Sequence, residues 1–101
     1  MTSYKVEISD AAQKDLEDII DYLATLQEDI AEKYYNIIEE KIKSLSSLAR
    51  RCPYARDLRL KSQGYRDLIV HNYLVFYQIV RDDIVLVRRV IYSKRDYGAI
   101  L

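Results

Sequence analysis

The run "GYRDLIVHNYLVFYQIVRDDIVLVRRVIYSKRD", residues 64–96, leaves this chain few folds to choose from. Three segments near residues 65–70, 73–80 and 84–92 are dense in Ile, Val, Leu, Tyr and Phe, with only "HN" and "RDD" between them. β-Branched and aromatic residues suit a pleated surface, and connections this short join neighbouring strands antiparallel, so the run predicts a β-meander. Leu74, Phe76 and Val80 alternate with Tyr73, Val75, Tyr77 and Ile79, so neither face of the middle strand is polar. One face needs helices. The other needs a cover, either a peptide partner or the chain's own connection and tail.

The preceding residues supply the helices. In "YKVEI", Tyr4, Val6 and Ile8 alternate with Lys5 and Glu7, as in a half-buried strand. Asp10 and Gln13 are spaced as a capping box, and Ala12, Leu16, Ile19, Ile20, Leu23 and Leu26 then recur at helical intervals. Thr25 and Glu28 suggest a second cap, followed by a stripe of Ala31, Tyr34, Ile38, Ile42, Leu45 and Leu48. "ARRCPYARDLRLKSQG" has no clean period and holds the only proline, which reads as a connection. The expected architecture is α+β: β-α-α-β-β-β, an antiparallel sheet of about four strands with a helical hairpin on one face, in a single domain over residues 1–101.

Charge is segregated along this chain. Residues 1–49 carry five lysines against eleven acids, a net of −6, and residues 50–101 carry eleven Lys and Arg against five acids, a net of +6. A basic half suits an anionic partner, nucleic acid or an acidic protein segment, and equally suits a sheet balanced by acidic helices. No apolar run reaches the ~18 residues of a membrane helix and the start has no signal-peptide core, so the expectation is a cytoplasmic protein with no membrane partner. One cysteine and one histidine, Cys52 and His71, exclude an internal disulfide and a Cys/His zinc set, and no cofactor or metal is expected. There is no phosphate-binding glycine loop and no nucleophile with an evident base. Chemistry would rest on Arg, Lys and Tyr, as in a metal-free ribonuclease. Arg88 and Arg89, adjacent on a strand, are expected to face opposite ways and not to line one pocket. Tyr65, Tyr73, Tyr77 and Tyr92 in the sheet serve either to stack bases or to fill a small core.

The stretches "SDAAQKDLEDIIDYL", "AEKYYNIIEEKIKSL", "GYRDLIVHNYLVFYQIV" and "RRVIYSKRD" resemble the RelE/ParE superfamily of toxins from type II toxin-antitoxin systems. Gly64-Tyr65-Arg66, "YLVFYQIV" and Arg89-Val90-Ile91-Tyr92 with Arg95-Asp96 carry the resemblance. It implies a cognate antitoxin and a toxin-antitoxin hetero-oligomer. RelE-like members cut messenger RNA on the ribosome, using an arginine on the central strand, a late arginine and often a terminal tyrosine or histidine. Arg95 matches the late arginine, but Leu74 stands in the central-strand position and Leu101 near the terminal one. The chain therefore looks closer to the ParE-like, plasmid-stabilisation members, which inhibit DNA gyrase and growth without that active site. The alternatives are a RelE-like ribonuclease with Arg59, Arg66 and Arg95 as catalytic candidates, or a non-toxic nucleic-acid-binding module. Arg66, Arg88, Arg89 and Arg95 are the candidates for target or antitoxin binding, as a positive rim around an apolar floor.

Overall fold

The computed structural model describes residues 3–93. It runs β1 (Lys5–Ile8), α1 (Asp10–Leu26), α2 (Glu28–Lys43), α3 (Leu45–Leu48), α4 (Leu58–Ser62), β2 (Arg66–Val70), β3 (Tyr73–Val80) and β4 (Ile84–Tyr92). The sheet order is β1-β4-β3-β2. β2, β3 and β4 form the expected antiparallel meander. Its second turn places both Arg81 and Asp82 at positive φ, which matches the twist of the strands it joins. β1 joins at the edge of β4 in parallel, so the sheet is mixed. No tight turn links those two strands, and the four helices, β2 and β3 between them leave the direction of pairing free.

The caps lie elsewhere than the spacing suggested. Ser9, not Asp10, starts α1: its Oγ accepts from the Ala12 N–H (3.1 Å) and donates to the Arg88 carbonyl (2.9 Å), tying the helix start to β4. Thr25 stays inside α1, donating to the Tyr22 carbonyl. A single extended residue, Gln27, joins α1 to α2 without a side-chain cap. So tight a corner ends the first stripe early, and Leu26 is 61% exposed.

One core lies between helices and sheet. Ala12, Leu16, Ile38, Ile42 and Leu45 meet Tyr73, Val75, Tyr77, Val85, Val87 and Val90 there. A second core lies on the opposite face, where Leu74, Phe76 and Ile91 pack against Ala55 and Leu60, with Tyr65 at its margin. The connection is thus itself structured. Its residues 53–55 bond to the start of β2 through Ala55 N–H to Tyr65 O (2.9 Å) and Asp67 N–H to Pro53 O (3.1 Å). Asp57 caps α4 by accepting from Arg59 and Leu60 N–H. Gly64, at φ +83, then turns the chain into β2 through the left-handed region that glycine enters without cost. The cover for the second face expected from a partner or the connection is supplied here by the connection. Phe76 is fully buried and Leu74 is 8% exposed.

Candidate functional site

A β-bulge decides where the basic residues point. Phe76 pairs with Arg89 but Tyr77 pairs with Val87, so Arg88 has no counterpart on β3. An inserted residue breaks strict alternation. Val87 and Val90, three apart, consequently both enter the helix-side core, and Arg88 and Arg89 both turn to the other face. The expectation that these two arginines diverge is corrected by this one inserted residue. Arg88 Nε donates to Gln78 Oε1 (2.8 Å), and Gln78 in turn donates to the Gln63 carbonyl at the end of α4 (2.7 Å). Arg59 lies on α4, over the same face.

Arg89 reaches round the open edge of β4 to α1. Its Nε and Nη2 donate to the two carboxylate oxygens of Asp15 at 2.7 and 2.8 Å, and the Val90 backbone N–H donates to the same carboxylate at 2.9 Å. β1 pairs with β4 only as far as Val87, so Asp15 supplies an acceptor where a strand partner is missing. Arg66 stands apart. It pairs across the sheet with helix-side Tyr77, donates to the Cys52 carbonyl (2.7 Å) and lies 4.1 Å from the centre of the Tyr54 ring. Arg95 lies outside the described residues. The arginines named from sequence are therefore not one continuous rim: Arg59, Arg88 and Arg89 share a side, and Arg66 belongs to the other.

The larger opening is elsewhere. A groove of ≈ 810 Å³ runs between the helical hairpin and the far end of the β3-β4 pair, walled by Ile19, Leu23, Ile30 and the tyrosines Tyr22, Tyr34, Tyr73 and Tyr92. Tyr34 meets Tyr73 edge-on at 6.2 Å and Tyr73 meets Tyr92 at 5.9 Å, while His71 closes the row against Tyr34 at 5.6 Å. Burial, then the neighbouring Tyr34, Tyr92 and Tyr22, push the Tyr73 phenol above its ordinary range. Such a groove can bury apolar side chains of a peptide while its hydroxyls meet polar groups. Of the sheet tyrosines, Tyr77 is wholly core: its hydroxyl donates to the Ala49 carbonyl and burial pushes it far above the usual phenol range.

Among the described residues, no three His, Cys, Asp or Glu side chains come together as a metal site would require. The unusual carboxylate is Asp67, whose Oδ1 is buried with no hydrogen-bond partner. Desolvation raises its pKa, partly offset by a backbone hydrogen bond from Arg56 and that residue's charge. A carboxyl whose folded pKa is raised favours the fold while protonated. Its contribution is complete below the ordinary aspartate range, about pH 4, and is lost as pH rises through the higher folded value. Asp67→Asn is therefore expected to raise stability at neutral pH by about 1 kcal/mol, and to flatten the fall in melting temperature between about pH 4 and neutrality. Melting curves across that range check it, and an unchanged slope would contradict it.

Sequence reasoning missed Asp15, Gln78 and the helical half of the tyrosine groove. Asp15 had a signal. It sits three residues after Ala12 and four before Ile19, on the apolar stripe and not opposite it.

With this geometry in view, the comparisons with known proteins are consistent with one another. Residues 6–97 match the profile of a family described as ParE toxin of type II toxin-antitoxin system, parDE. Among solved structures, the chromosomal ParDE toxin-antitoxin system from P. aeruginosa aligns with a TM-score of 0.76 at 19% identity, covering 91% of this chain and 98% of that one. A RelBE toxin-antitoxin complex from Mycobacterium tuberculosis aligns at 0.61 and 20% identity, covering 90% and 99%. At such identities the likeness shows the fold. No curated protein matches the sequence.

Proposed function

This chain belongs to the ParE toxin family of type II toxin-antitoxin systems, and from that membership we propose that it arrests bacterial growth by inhibiting DNA gyrase and is silenced by a cognate antitoxin encoded beside it. The observation that carries the choice of target is the closed second face of the sheet. A ribosome-dependent ribonuclease of the RelE type would set a cationic group on the central strand to stabilise the charge developing on the scissile phosphate. Here that strand presents Leu74 and Phe76 to Ala55, Leu60 and Ile91, an apolar contact beneath α4. Arg89, the nearest cation in register with Phe76, is engaged by Asp15.

The RelE-like reading is second, and one observation favours it: the bulge brings Arg88 and Arg89 to the side that carries Arg59. On either reading Arg59 and Arg88 are the basic groups of that face best placed to meet an acidic antitoxin segment or the target, with Arg89 held by Asp15 and Arg66 a separate contact on the far side. Among the described residues no helix is long and apolar enough to cross a membrane.

Inducing the protein alone in a bacterial host is expected to stop growth, and co-expressing the product of the adjacent short reading frame is expected to restore it. The check is colony formation and culture density at verified soluble expression. Normal growth under those conditions would contradict an active toxin.

A further inference from the structure

The connection that closes the second face also carries a basic strip. It runs from Arg50, whose Nε donates to the Tyr4 hydroxyl (2.8 Å) beside the start of β1, to Tyr54, bridged to Arg66 on the outer edge of β2. Residues 50–66 hold six Lys and Arg against one acid, Asp57, and that carboxylate is engaged in capping α4. Arg50, Arg51, Arg56 and Lys61 are exposed, and among the described residues none of them is ion-paired with a carboxylate. In a chain whose charges sum to zero, such a strip attracts an anionic partner to one place.

Charge alone would make this a solvated face, and Tyr54 sets it apart. The Arg66 guanidinium lies 4.1 Å from the centre of the Tyr54 ring and is itself fixed by donating to the Cys52 carbonyl at 2.7 Å. With one ring face held against a cation, the 48% exposure of Tyr54 belongs to its edge and its other face. Arg50 and Arg51 precede it by four and three residues and Arg56 follows by two, so their backbones lie within about 14 Å of it. A fixed, open aromatic face among cations is a platform on which a base stacks while flanking phosphates meet the guanidinium groups. An acidic peptide would use the arginines and leave the ring idle. A duplex keeps its bases in their own stack.

We propose that this strip binds single-stranded DNA, with one unstacked base on the open face of Tyr54 and the neighbouring phosphates on Arg50, Arg51 and Arg56. Arg66 is a positioning residue that holds the ring upright. The inference rests on the gyrase reading, which supplies DNA as the strand, and deepens it: the toxin grips the enzyme's DNA where bases are unpaired, besides any contact with the enzyme itself. The strip also gives a partner to the side of the sheet that carries Arg66, away from Arg59 and Arg88.

The test measures anisotropy of a labelled oligothymidine of about 12 nucleotides titrated with the purified full chain, between about 50 and 200 mM salt. Tyr54→Ala is expected to weaken binding about tenfold, and Tyr54→Phe, which keeps the ring, to stay within about twofold of the parent. Arg51→Ala is expected to reduce the slope of log affinity against log salt by about 0.7, the share of one phosphate contact on a single strand. Melting curves establish that each variant is folded at the assay temperature. No binding at the lower salt, or binding that Tyr54→Ala leaves unchanged, overturns the proposal, and supercoiling inhibition by the same preparation then leaves the gyrase reading standing. A duplex bound as tightly as the single strand overturns the stacking assignment. Oligouridine bound about tenfold more tightly than oligothymidine makes the strand RNA and overturns the DNA assignment. Binding through Tyr54 with supercoiling untouched overturns the gyrase reading alone.

Discussion

Asp15→Ala is expected to destabilise the fold by about 3 kcal/mol and to lower the melting temperature by about 15 °C. Asp15 is nearly buried, with 12% of its side chain exposed, and Arg89 keeps 23%. Removing the carboxylate takes two charge-assisted hydrogen bonds from a guanidinium in a poorly hydrated place, and most of the cost comes from their loss. It also strips the Val90 N–H of its acceptor on the edge that β1 does not reach. Arg89 and Asp15 are partly hydrated, which holds the figure at the low end for broken buried pairs. Asp15→Asn keeps an oxygen for Val90 and is expected to cost about half as much. Thermal unfolding of the two variants decides it. A melting temperature within about 3 °C of the parent for Asp15→Ala would show that the pair is an ordinary surface contact.

Much of this fold was legible because its signals are local and periodic. The strands of the meander, β2 to β4, fall within a residue of the segments read from their composition, and the two long helices follow their apolar stripes. What escaped depends on neighbours distant in sequence. Nothing in "YKVEI" encodes whether its partner runs parallel. The five residues of α4 are too few to show a helical period, so the structured cover over Leu74 and Phe76 read as a loose connection. The bulge had a faint trace. Val85 and Val87 continue the alternation but the next helix-side residue is Val90, where a regular strand would need position 89 to be apolar. Two arginines at the break read instead as an unrelated basic cluster. The tyrosine groove draws on α1, α2, β3 and β4 at once, and no window of sequence contains it. The functional family was legible from motifs spread over nearly the whole chain, whereas the placement of Arg66 away from Arg88 and Arg89 was not, because it follows from pairing register alone.

The second large effect concerns the target. Preorganised charge stabilisation at the scissile phosphate is worth about 3 kcal/mol, roughly a hundredfold in rate, for each group removed. Leu74, buried against the apolar side of α4, stands where the resemblance would put the central-strand arginine, and we propose that this chain lacks that group. Ribosome-dependent cleavage should accordingly be near background. Growth arrest then has to come through another target, and inhibition of gyrase, the activity of the ParE-like members that lack the same groups, is the one we predict. The direct measurement sets purified toxin against gyrase supercoiling of relaxed plasmid, with cleavage of messenger RNA on translating ribosomes assayed from the same preparation. Loss of supercoiling near stoichiometric toxin, relieved by antitoxin and accompanied by intact message, is the predicted result. Codon-positioned cuts in ribosome-bound message that disappear in Arg95→Ala, with supercoiling untouched, would contradict it.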